Sequence, residues 1–581
     1  MGRKSMRGKK VQKEERVLFN RKDIVLCVLL MFVSTIMTFN NLGDTRFPTS
    51  AYYGEEEQPI IIEFGQTITF QGIMYLNGEN CNQEFGVLFL NDKEEWELCY
   101  EENTADKAFR WSGFGLEVTT KYFMIVPGTP ELSILEAAFY SDGICIMPTG
   151  YSSAEAAALF DEPELVPEYP FFTNSMYFDE SVHALTAYEF INGKPPTERT
   201  HPPLGKSIIA LGIDMFGMSP FGWRFMSALF GVLLIIPLYV LAKFMLGARD
   251  LSFLAVLIFT FDFMRFVQSR LANIDIFLVT FITLMYLFMY KYIQTNPEDR
   301  LNRKALLYLG FSGAFMGLAV AVKWSAAFAG LGLGVLFVLA WYEAKSSYGE
   351  YHPNANSKPD VPKYKVALTK TVVWCVLFFG IVPIIIYCLS YIPFSIASGF
   401  RWPNCIIQNQ IEMFSFHAYL EDTHEYMSNW WSWPLDLRPM NYSNVALPNG
   451  TAGGMITFGN PALWWGGLSA LIWCAVRWFS HKDKPAMFLC IAWIAQILPW
   501  VFITRSSFIY HYFPCVPFLA LMIVYYIKTR PKRHRWRFAL VFAALTLAMF
   551  VVFYPVLGGM PISNLNYIKS LQWLPGWQFI K

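Results

Sequence analysis

Long apolar runs are the feature that most constrains how this chain can fold. About eleven runs of roughly 18 or more residues recur along its 581 residues, and a helix needs a run of that length to cross the hydrocarbon core of a bilayer. Hydrophobic residues make up 54% of the chain and charged residues only 16%, against about 25% charged in a soluble domain. We therefore predict a polytopic α-helical membrane protein. The predicted spans lie near 23–40, 221–243, 251–267, 272–291, 305–321, 325–342, 367–392, 455–476, 486–503, 508–527 and 538–555.

Lys and Arg are unevenly distributed between the loops, and this predicts the orientation. Cytoplasmic loops are enriched in these residues, and a basic tail, 1–22, precedes the first run. With that tail inside, the strongly basic loop 528–537 also falls inside, and the tail 556–581 falls outside. We expect a multi-pass cell-membrane protein with a cytoplasmic N-terminus. The short loops on the opposite face contain about one basic residue each: Arg270, Lys323 and Arg505.

Two long segments, 41–220 and 393–454, fall on the outer face in this topology. Within the first, the region 56–147 changes from apolar runs to short β-rich stretches separated by turn formers such as Asn77-Gly78. We expect a small antiparallel β-sandwich inserted in this extracytoplasmic loop. It either binds carbohydrate or acts as a spacer or docking module, and the pattern fits both. Three cysteines lie in this region: Cys81, Cys99 and Cys145. Oxidation is permitted on the outer face, so both a Cys81–Cys99 disulfide and free thiols are possible.

Acidic and histidine side chains cluster soon after the predicted sandwich. Asp179 and Glu180 are adjacent, and His183 follows within one helical turn. The run from His201 to Lys206 contains paired prolines that stop one helix and fix the chain before the next. An isolated Asp-Glu pair on a loop is usually a solvated charge. Two such motifs close together on the outer face of a membrane protein indicate a functional site.

Together these motifs resemble the first outer loop of the protein O-mannosyltransferases, a family of the GT-C superfamily. The resemblance covers roughly 160–530. The matching motifs are Phe178-Asp-Glu-x-x-His183, His201-Pro-Pro-Leu-Gly-Lys206, Gly222-Trp-Arg224, Ser269-Arg270 with Asp275, Val322-Lys-Trp324 and Phe508-Ile-Tyr-His-Tyr-Phe-Pro514.

The resemblance also implies a domain division. Eukaryotic members of the family have a large β-trefoil domain in the second outer loop, whereas this loop, 393–454, is shorter here, as in bacterial members. The β-rich insertion lies outside the common pattern. The apolar runs, the loops and the resemblance together give the expected parts: a cytoplasmic tail 1–22, a first helix 23–40, the insertion 56–147, a catalytic GT-C core 160–392, the loop 393–454, a four-helix block 455–555 and an outer tail 556–581.

The family's activity is transfer of mannose from polyprenyl-phosphate mannose to Ser or Thr hydroxyls of exported proteins, with inversion at the anomeric carbon. By resemblance, Asp179 is the base that accepts the proton of the acceptor hydroxyl, and Glu180 orients the acceptor or shares that role. The expected contacts of the donor phosphate or sugar are Arg224, Arg270, Lys323, Arg505, His511, His201 and Lys206. The expected acceptor or positioning residues are His183, Trp324 and Tyr510.

Each of these residues also has an ordinary explanation. Lys and Arg at helix ends extend toward lipid headgroups, and a single His is commonly a hydrogen-bonded interfacial residue. A divalent metal ion between the carboxylates and His183 or His201 is disfavoured, because adjacent carboxylates rarely point at one metal, so no cofactor is firmly expected. The chain has no glycine-rich phosphate loop, in agreement with a lipid-linked donor, and no nucleic-acid partner is expected.

Three functions remain open at this point. The first is protein mannosylation in the lipid bilayer, from a polyprenyl-phosphate mannose donor to a secreted or membrane protein. The second keeps this chemistry but transfers the sugar to a lipid or cell-wall glycan. The third, a transporter or sensor with a ligand-binding ectodomain, is disfavoured because the sequence has no visible inverted repeat. The acceptor and the identity of the sugar are properties of the family and do not follow from the residues.

Overall fold

The helical segments of the protein follow the predicted apolar runs. In the described part of the chain, nine helical stretches are long and apolar enough to cross a membrane, and each overlaps a predicted span. They are Arg21–Phe39, Pro220–Leu246, Asp275–Ile293, Arg303–Val322, Ala326–Lys345, Lys363–Ser398, Lys484–Phe502, Ile509–Thr529 and Lys532–Gly558. The computed structural model describes residues 19–80, 82–104, 107–347, 361–421, 423–447 and 450–579.

We number the elements in chain order. The helices are α1 (Arg21–Phe39), α2 (Glu180–Asn192), α3 (Leu204–Phe216), α4 (Pro220–Leu233), α5 (Ile235–Leu246), α6 (Arg249–Thr260), α7 (Phe263–Gln268), α8 (Asp275–Ile293), α9 (Arg303–Val322), α10 (Ala326–Ser347), α11 (Val361–Val376), α12 (Val382–Ser390), α13 (Ile392–Ser398), α14 (Asn404–Tyr419), α15 (Pro461–His481), α16 (Lys484–Ile497), α17 (Val516–Thr529), α18 (Lys532–Gly558) and α19 (Leu565–Ser570). The strands are β1 (Tyr52–Gly54), β2 (Ile60–Asn77), β3 (Gln83–Leu90), β4 (Trp96–Thr104), β5 (Trp111–Pro127), β6 (Leu132–Ser141), β7 (Ile144–Ile146), β8 (Gly150–Tyr151), β9 (Met440–Ala446) and β10 (Ala452–Thr457).

The other two predicted spans, 251–267 and 455–476, are helical but are not simple apolar spans. The first is divided between α6 and α7, where the Asp262 side chain accepts a hydrogen bond of 3.0 Å from the backbone N–H of Arg265 and so caps α7. The second corresponds to α15, which begins later than predicted because the residues before it form strand β10. The polytopic helical fold is confirmed, and the number of membrane crossings stays a prediction.

The predicted sandwich is a β-module made from one continuous antiparallel sheet of eight strands, ordered β1-β6-β2-β5-β3-β4, with β7 beside β6 and β8 beside β2. Strands β2 and β5 are long, at 18 and 17 residues. Their pairing shifts register between Glu63 and Ile68 and again between Phe70 and Gly72, and such irregularities bend strands. The sheet therefore folds over its own apolar core, in which the rings of Phe64 and Phe70 lie 4.7 Å apart.

The cysteines of this module do not form a bridge among the residues that the structure describes. Cys99 and Cys145 are free, and the Cys99 thiol donates to the carbonyl oxygen of Val87 at 3.2 Å. Cys81 lies outside the described residues, as does most of the predicted cytoplasmic tail.

The β-module packs directly on the segment that precedes α2. The backbone N–H of Trp111 donates to the Ser175 hydroxyl at 3.1 Å, and the Met176 N–H donates to the Phe109 carbonyl at 3.0 Å. At the other end of α2, Lys194 pairs with Glu79 of the module at 2.5 Å. The module therefore supports both ends of the helix that begins at the Asp-Glu motif.

The loop 393–454 also contacts the Asp-Glu motif. Its β9–β10 hairpin stacks Tyr442 on Phe178, with ring centroids 4.6 Å apart. Strand β10 also pairs with the C-terminal tail through the bridge between Ala452 and Ile562. The Asp-Glu motif thus lies between the β-module, the hairpin and the membrane helices.

Candidate active site

The Asp-Glu motif sits at a strained turn that begins α2. Phe178 has a φ of 53°, in the left-handed region that residues other than glycine rarely adopt. Its ring stacks on Tyr442, and its carbonyl accepts a hydrogen bond of 2.8 Å from the Ser181 hydroxyl. Backbone strain of this kind concentrates at functional sites, where the surroundings hold it in place. Here it directs Asp179 and Glu180, the next two residues, in different directions.

Glu180 points into the protein and forms a fully buried ion pair with Arg224. The pair is bidentate, with Nε to Oε1 and Nη2 to Oε2 both at 2.7 Å. Arg224 also donates to the carbonyl oxygens of Leu42 and Ser175 at 2.9 Å each, and Glu180 accepts from the backbone N–H of Ala272 at 2.9 Å. This geometry does not support Arg224 as a phosphate ligand or Glu180 as a base, because both side chains are occupied with each other and with backbone.

Asp179 is half-buried and makes one hydrogen bond to a side chain, from Asn273 Nδ2 to its Oδ2 at 3.2 Å. Burial raises the pKa of Asp179 to about 7, with the charge of Lys323 opposing the rise and the charges of Asp275, Glu198 and Glu180 adding to it. A carboxylate with a pKa near the working pH is well suited to accept a proton. Of the two adjacent acids, Asp179 is therefore the one available for chemistry.

This pKa predicts the pH dependence of the reaction. A base works only when deprotonated, so kcat/KM should fall about tenfold per pH unit below a pKa of about 7 and level off above it. The measurement is a pH profile of initial rates at low substrate concentration, with folded protein verified at each pH. An acid limb near pH 4, the value of an ordinary aspartate, would contradict the assignment of Asp179.

Lys323 lies beside Asp179 and is partly neutralised. Its Nζ pairs with Asp275 Oδ1 at 2.9 Å and lies 5.3 Å from the centre of the Tyr510 ring. The second oxygen of Asp275 is buried and has no hydrogen-bond partner. Trp324, the next residue along the chain, donates its indole N–H to the hydroxyl of Tyr387 at 3.0 Å.

A cavity of about 440 Å³ opens next to Lys323. Its lining combines apolar side chains with polar ones, and Lys323 and Arg505 provide its positive charge. Arg505 is half-buried and donates to the carbonyl oxygen of Ser506 at 3.2 Å. The lining residues are Thr200, His201, Pro202, Val320, Lys323, Trp324, Ser325, Ala327, Phe328, Met413, His417, Trp500, Ile503 and Arg505.

A buried polar cluster forms the back of this cavity. Lys206 is fully buried and pairs with Glu198. Glu198 also binds Nδ1 of His201 at 3.1 Å, and His183 Nδ1 lies 3.9 Å from its other oxygen. Burial lowers the pKa of His183 to about 3, so this ring is neutral. Lys206 therefore supports the site from behind and does not face the cavity.

The structure places two more of the expected contacts away from the cavity lining. Arg270 is buried and donates to the carbonyl oxygens of residues 37, 38, 40 and 41, at 2.5 to 3.2 Å. These oxygens lie at the C-terminal end of α1, where the helix dipole favours a cation. His511 is packed against Trp500, with ring centroids 4.3 Å apart, and its Nδ1 lies 3.1 Å from the backbone nitrogen of Phe508. Arg270 therefore holds the first helix in place, and this geometry does not support it as a phosphate ligand.

The structure adds residues that the sequence analysis did not identify. Glu198 stands beside the His-Pro-Pro motif and could have been noticed there as a carboxylate near two histidines. Asn273 lies inside the Arg270–Asp275 match, but its contact with Asp179 depends on the fold. His417 and Tyr442 come from the loop 393–454, in which the sequence analysis named no candidate site residue. No group of three or more His, Cys, Asp or Glu side chains suited to a metal ion occurs in the part of the chain that the structure describes.

Comparison with known proteins agrees with this architecture. The family model "Dolichyl-phosphate-mannose-protein mannosyltransferase" matches residues 200–353, and the model "C-terminal four TMM region of protein-O-mannosyltransferase" matches residues 404–577. Together they match more than half of the chain. Both models describe regions of one family, and between them they include the cavity and the C-terminal helices.

Curated relatives extend the match. A polyprenol-phosphate-mannose–protein mannosyltransferase of Corynebacterium glutamicum is 27% identical over 74% of this chain and 90% of its own length. One from Mycolicibacterium smegmatis is 25% identical over 69% of this chain and 87% of its own. The S. cerevisiae protein O-mannosyltransferase Pmt1–Pmt2 complex bound to the sugar donor shares the fold, with a TM-score of 0.60, 14% identity, and coverage of 70% of this chain and 89% of that chain. The chain therefore belongs to the protein O-mannosyltransferase family.

Proposed function

We propose that this protein transfers mannose from polyprenyl-phosphate mannose to Ser or Thr hydroxyls of exported proteins, at the outer face of the cell membrane. The observation that supports this best is the combination of Asp179, with its raised pKa, and a cavity that contains Lys323 and Arg505. Curated relatives of similar length have this activity in their names. The charge distribution of the loops favours a cytoplasmic N-terminus and an outer active site.

The reaction is a single displacement. The acceptor hydroxyl oxygen attacks the anomeric carbon while Asp179 takes up the hydroxyl proton, because an alcohol is a weak nucleophile until a positioned base begins to accept that proton. The bond between the anomeric carbon and the phosphate oxygen breaks on the opposite face, which inverts the anomeric configuration. The electron pair of that bond stays on the phosphate oxygen.

The leaving phosphate gains negative charge as that bond breaks. Lys323 and Arg505 lie in the cavity wall and stabilise this charge electrostatically. The apolar part of the wall, which includes Val320, Ala327 and Phe328, accepts the first isoprene units of the lipid. Glu180 and Arg224 do not react, and their ion pair keeps Asp179 in position.

Replacing Arg505 with Ala should weaken donor binding about 10- to 100-fold, because a hydrogen bond to a charged group contributes about 1.5–3 kcal/mol. Arg505 is a cleaner target than Lys323, whose removal would leave the buried carboxylate of Asp275 without a partner. The measurement is the affinity for polyprenyl-phosphate mannose. The matched control is Lys569→Ala, an exposed cation of the C-terminal tail. Equal affinity of the Arg505→Ala and control variants would exclude Arg505 as a donor ligand.

The proposed function is tested in membranes that contain the wild-type protein. Radiolabelled polyprenyl-phosphate mannose and a Ser/Thr-rich secreted peptide are supplied from the outer face, and label is expected in the peptide. Label found in a lipid or glycan would support the proposed transfer chemistry but contradict the protein acceptor. The absence of any donor turnover by folded protein, with several sugars tried, would contradict the enzyme assignment.

A further inference from the structure

His201 stands between the buried polar cluster and the cavity, and its contacts determine which ring nitrogen has the proton. Its Nδ1 lies 3.1 Å from Glu198 Oε1 and 3.0 Å from the hydroxyl oxygen of Thr200. The Thr200 hydroxyl donates its own proton to the same oxygen of Glu198. An ionised carboxylate can only accept hydrogen bonds. Nδ1 of His201 therefore has the hydrogen.

Glu198 is ionised because of its cationic neighbour. Lys206 contacts Glu198 Oε2 and donates to the carbonyl oxygens of Glu198 and His201 at 3.0 Å each. Although burial alone would raise the pKa of Glu198, the charge of Lys206 and the hydrogen bond from His201 hold it well below its usual range. The acceptor that fixes the histidine tautomer is thus a permanent feature of the site.

The second outer loop holds this segment in place. Asn409 of α14 donates from Nδ2 to the carbonyl oxygen of Arg199 at 2.8 Å. His417, on the same helix, contacts the carbonyl oxygen of Thr200 through Nε2 at 2.9 Å. The backbone on the N-terminal side of His201 is therefore anchored from a second direction, and the ring has a defined orientation toward the cavity.

The other nitrogen of His201, Nε2, lies on the far side of the ring from Glu198, and the residue lines the cavity. Burial lowers the pKa of His201, so the ring is neutral and Nε2 has a lone pair instead of a hydrogen. A lone pair repels phosphate oxygens, for which Lys323 and Arg505 are the matching partners. It accepts a hydrogen bond from a hydroxyl group.

We propose that His201 Nε2 accepts a hydrogen bond from a hydroxyl group of the donor sugar, and that Glu198 is the positioning residue that fixes the tautomer this contact needs. The inference rests on the proposed function and goes beyond it, because it divides the cavity into a phosphate end and a sugar end. It also names a residue that determines sugar specificity. A sugar that lacks the contacted hydroxyl would leave the lone pair without a partner.

The test compares polyprenyl-phosphate mannose with analogues that each lack one sugar hydroxyl. For the wild-type protein, kcat/KM should fall about tenfold with one of these analogues, the usual effect of one lost hydrogen bond. The His201→Leu variant should lose about tenfold with the complete donor and no longer distinguish that analogue from it. Inhibition by polyprenyl phosphate, which has no sugar, should be the same in both proteins. His481→Leu, an exposed histidine at the end of α15, is the control.

A second variant tests the tautomer. In Glu198→Gln the new amide can donate to Nδ1, which favours the tautomer with hydrogen on Nε2 and should also remove the discrimination. This variant leaves Lys206 without its carboxylate, so its folding is checked by size-exclusion chromatography. His201→Leu keeps the Glu198–Lys206 pair and decides the question if Glu198→Gln is unfolded.

Two results would overturn the inference. One is a His201→Leu variant that still distinguishes the same analogue as strongly as the wild-type protein does. The other is an equal loss of affinity for the donor and for sugar-free polyprenyl phosphate, which would place His201 at the phosphate. Absence of transfer by the wild-type protein is a different outcome, because it would overturn the proposed function itself and this inference with it.

Discussion

Replacing Asp179 with Asn should lower kcat for mannose transfer by about 10²- to 10⁴-fold, the usual contribution of a general base. The amide has nearly the same shape and still contacts Asn273, but it cannot take up the proton of the acceptor hydroxyl. Donor affinity should change little, because the proposed phosphate contacts, Lys323 and Arg505, are unaltered. The measurement is the initial rate at saturating peptide and donor, together with the donor dissociation constant.

The control for this prediction is Asp214→Asn. Asp214 is an exposed aspartate on α3, and the same change of charge there should leave kcat unaltered. Near-normal turnover by the Asp179→Asn variant would exclude Asp179 as the base. Because Glu180 is held by Arg224 and Ala272, the neighbouring acid is not in a position to replace it.

Replacing Arg224 with Ala should destabilise the protein by about 3–5 kcal/mol, the usual cost of removing one partner of a buried ion pair. Glu180 would remain fully buried with one backbone donor, from Ala272. The carbonyl oxygens of Leu42 and Ser175 would also lose their hydrogen bonds. Thermal unfolding of the purified protein in detergent measures the effect, and activity should be lost because the Asp-Glu turn is no longer held.

The exposed ion pair between Arg46 and Glu164 provides the control, with side chains 71% and 61% exposed. Arg46→Ala should leave the unfolding midpoint unchanged within error, because exposed pairs are screened by solvent. If Arg224→Ala instead kept normal stability and lost only donor binding, Arg224 would be a phosphate ligand, as the family resemblance first suggested.

Asp179 and Arg224 show which properties of the site can be predicted from the sequence and which cannot. The motif at Asp179 and Glu180, the helical membrane fold and the family were all predictable, because apolar runs and linear motifs are local properties. The partner of each charged side chain was not predictable. Arg224 and Arg270 both belong to matching motifs, yet Arg224 forms an ion pair with Glu180, whereas Arg270 donates to backbone carbonyl oxygens at the end of α1.

The same limit applies to residues that were missed. His417 and Tyr442 approach the site from the loop 393–454, more than two hundred residues after Asp179, and only the folded chain brings them together. In the β-module, the short β-rich stretches predicted strands correctly. That β2 and β5 form one bent sheet depends on their register shifts, which alternation of apolar and polar residues does not specify.

Purified protein in lipid nanodiscs provides the most direct test of mannose transfer with Asp179 as the base. Wild type and the Asp179→Asn variant are incubated with polyprenyl-phosphate mannose and a Ser/Thr-rich peptide at pH 7.5, and the peptide is then analysed by mass spectrometry. We expect one hexose on a Ser or Thr side chain with the wild-type protein and no detectable modification with the variant. Equal modification by both proteins would contradict the assigned base, and an unmodified peptide with wild type, despite consumption of the donor, would contradict the assigned acceptor.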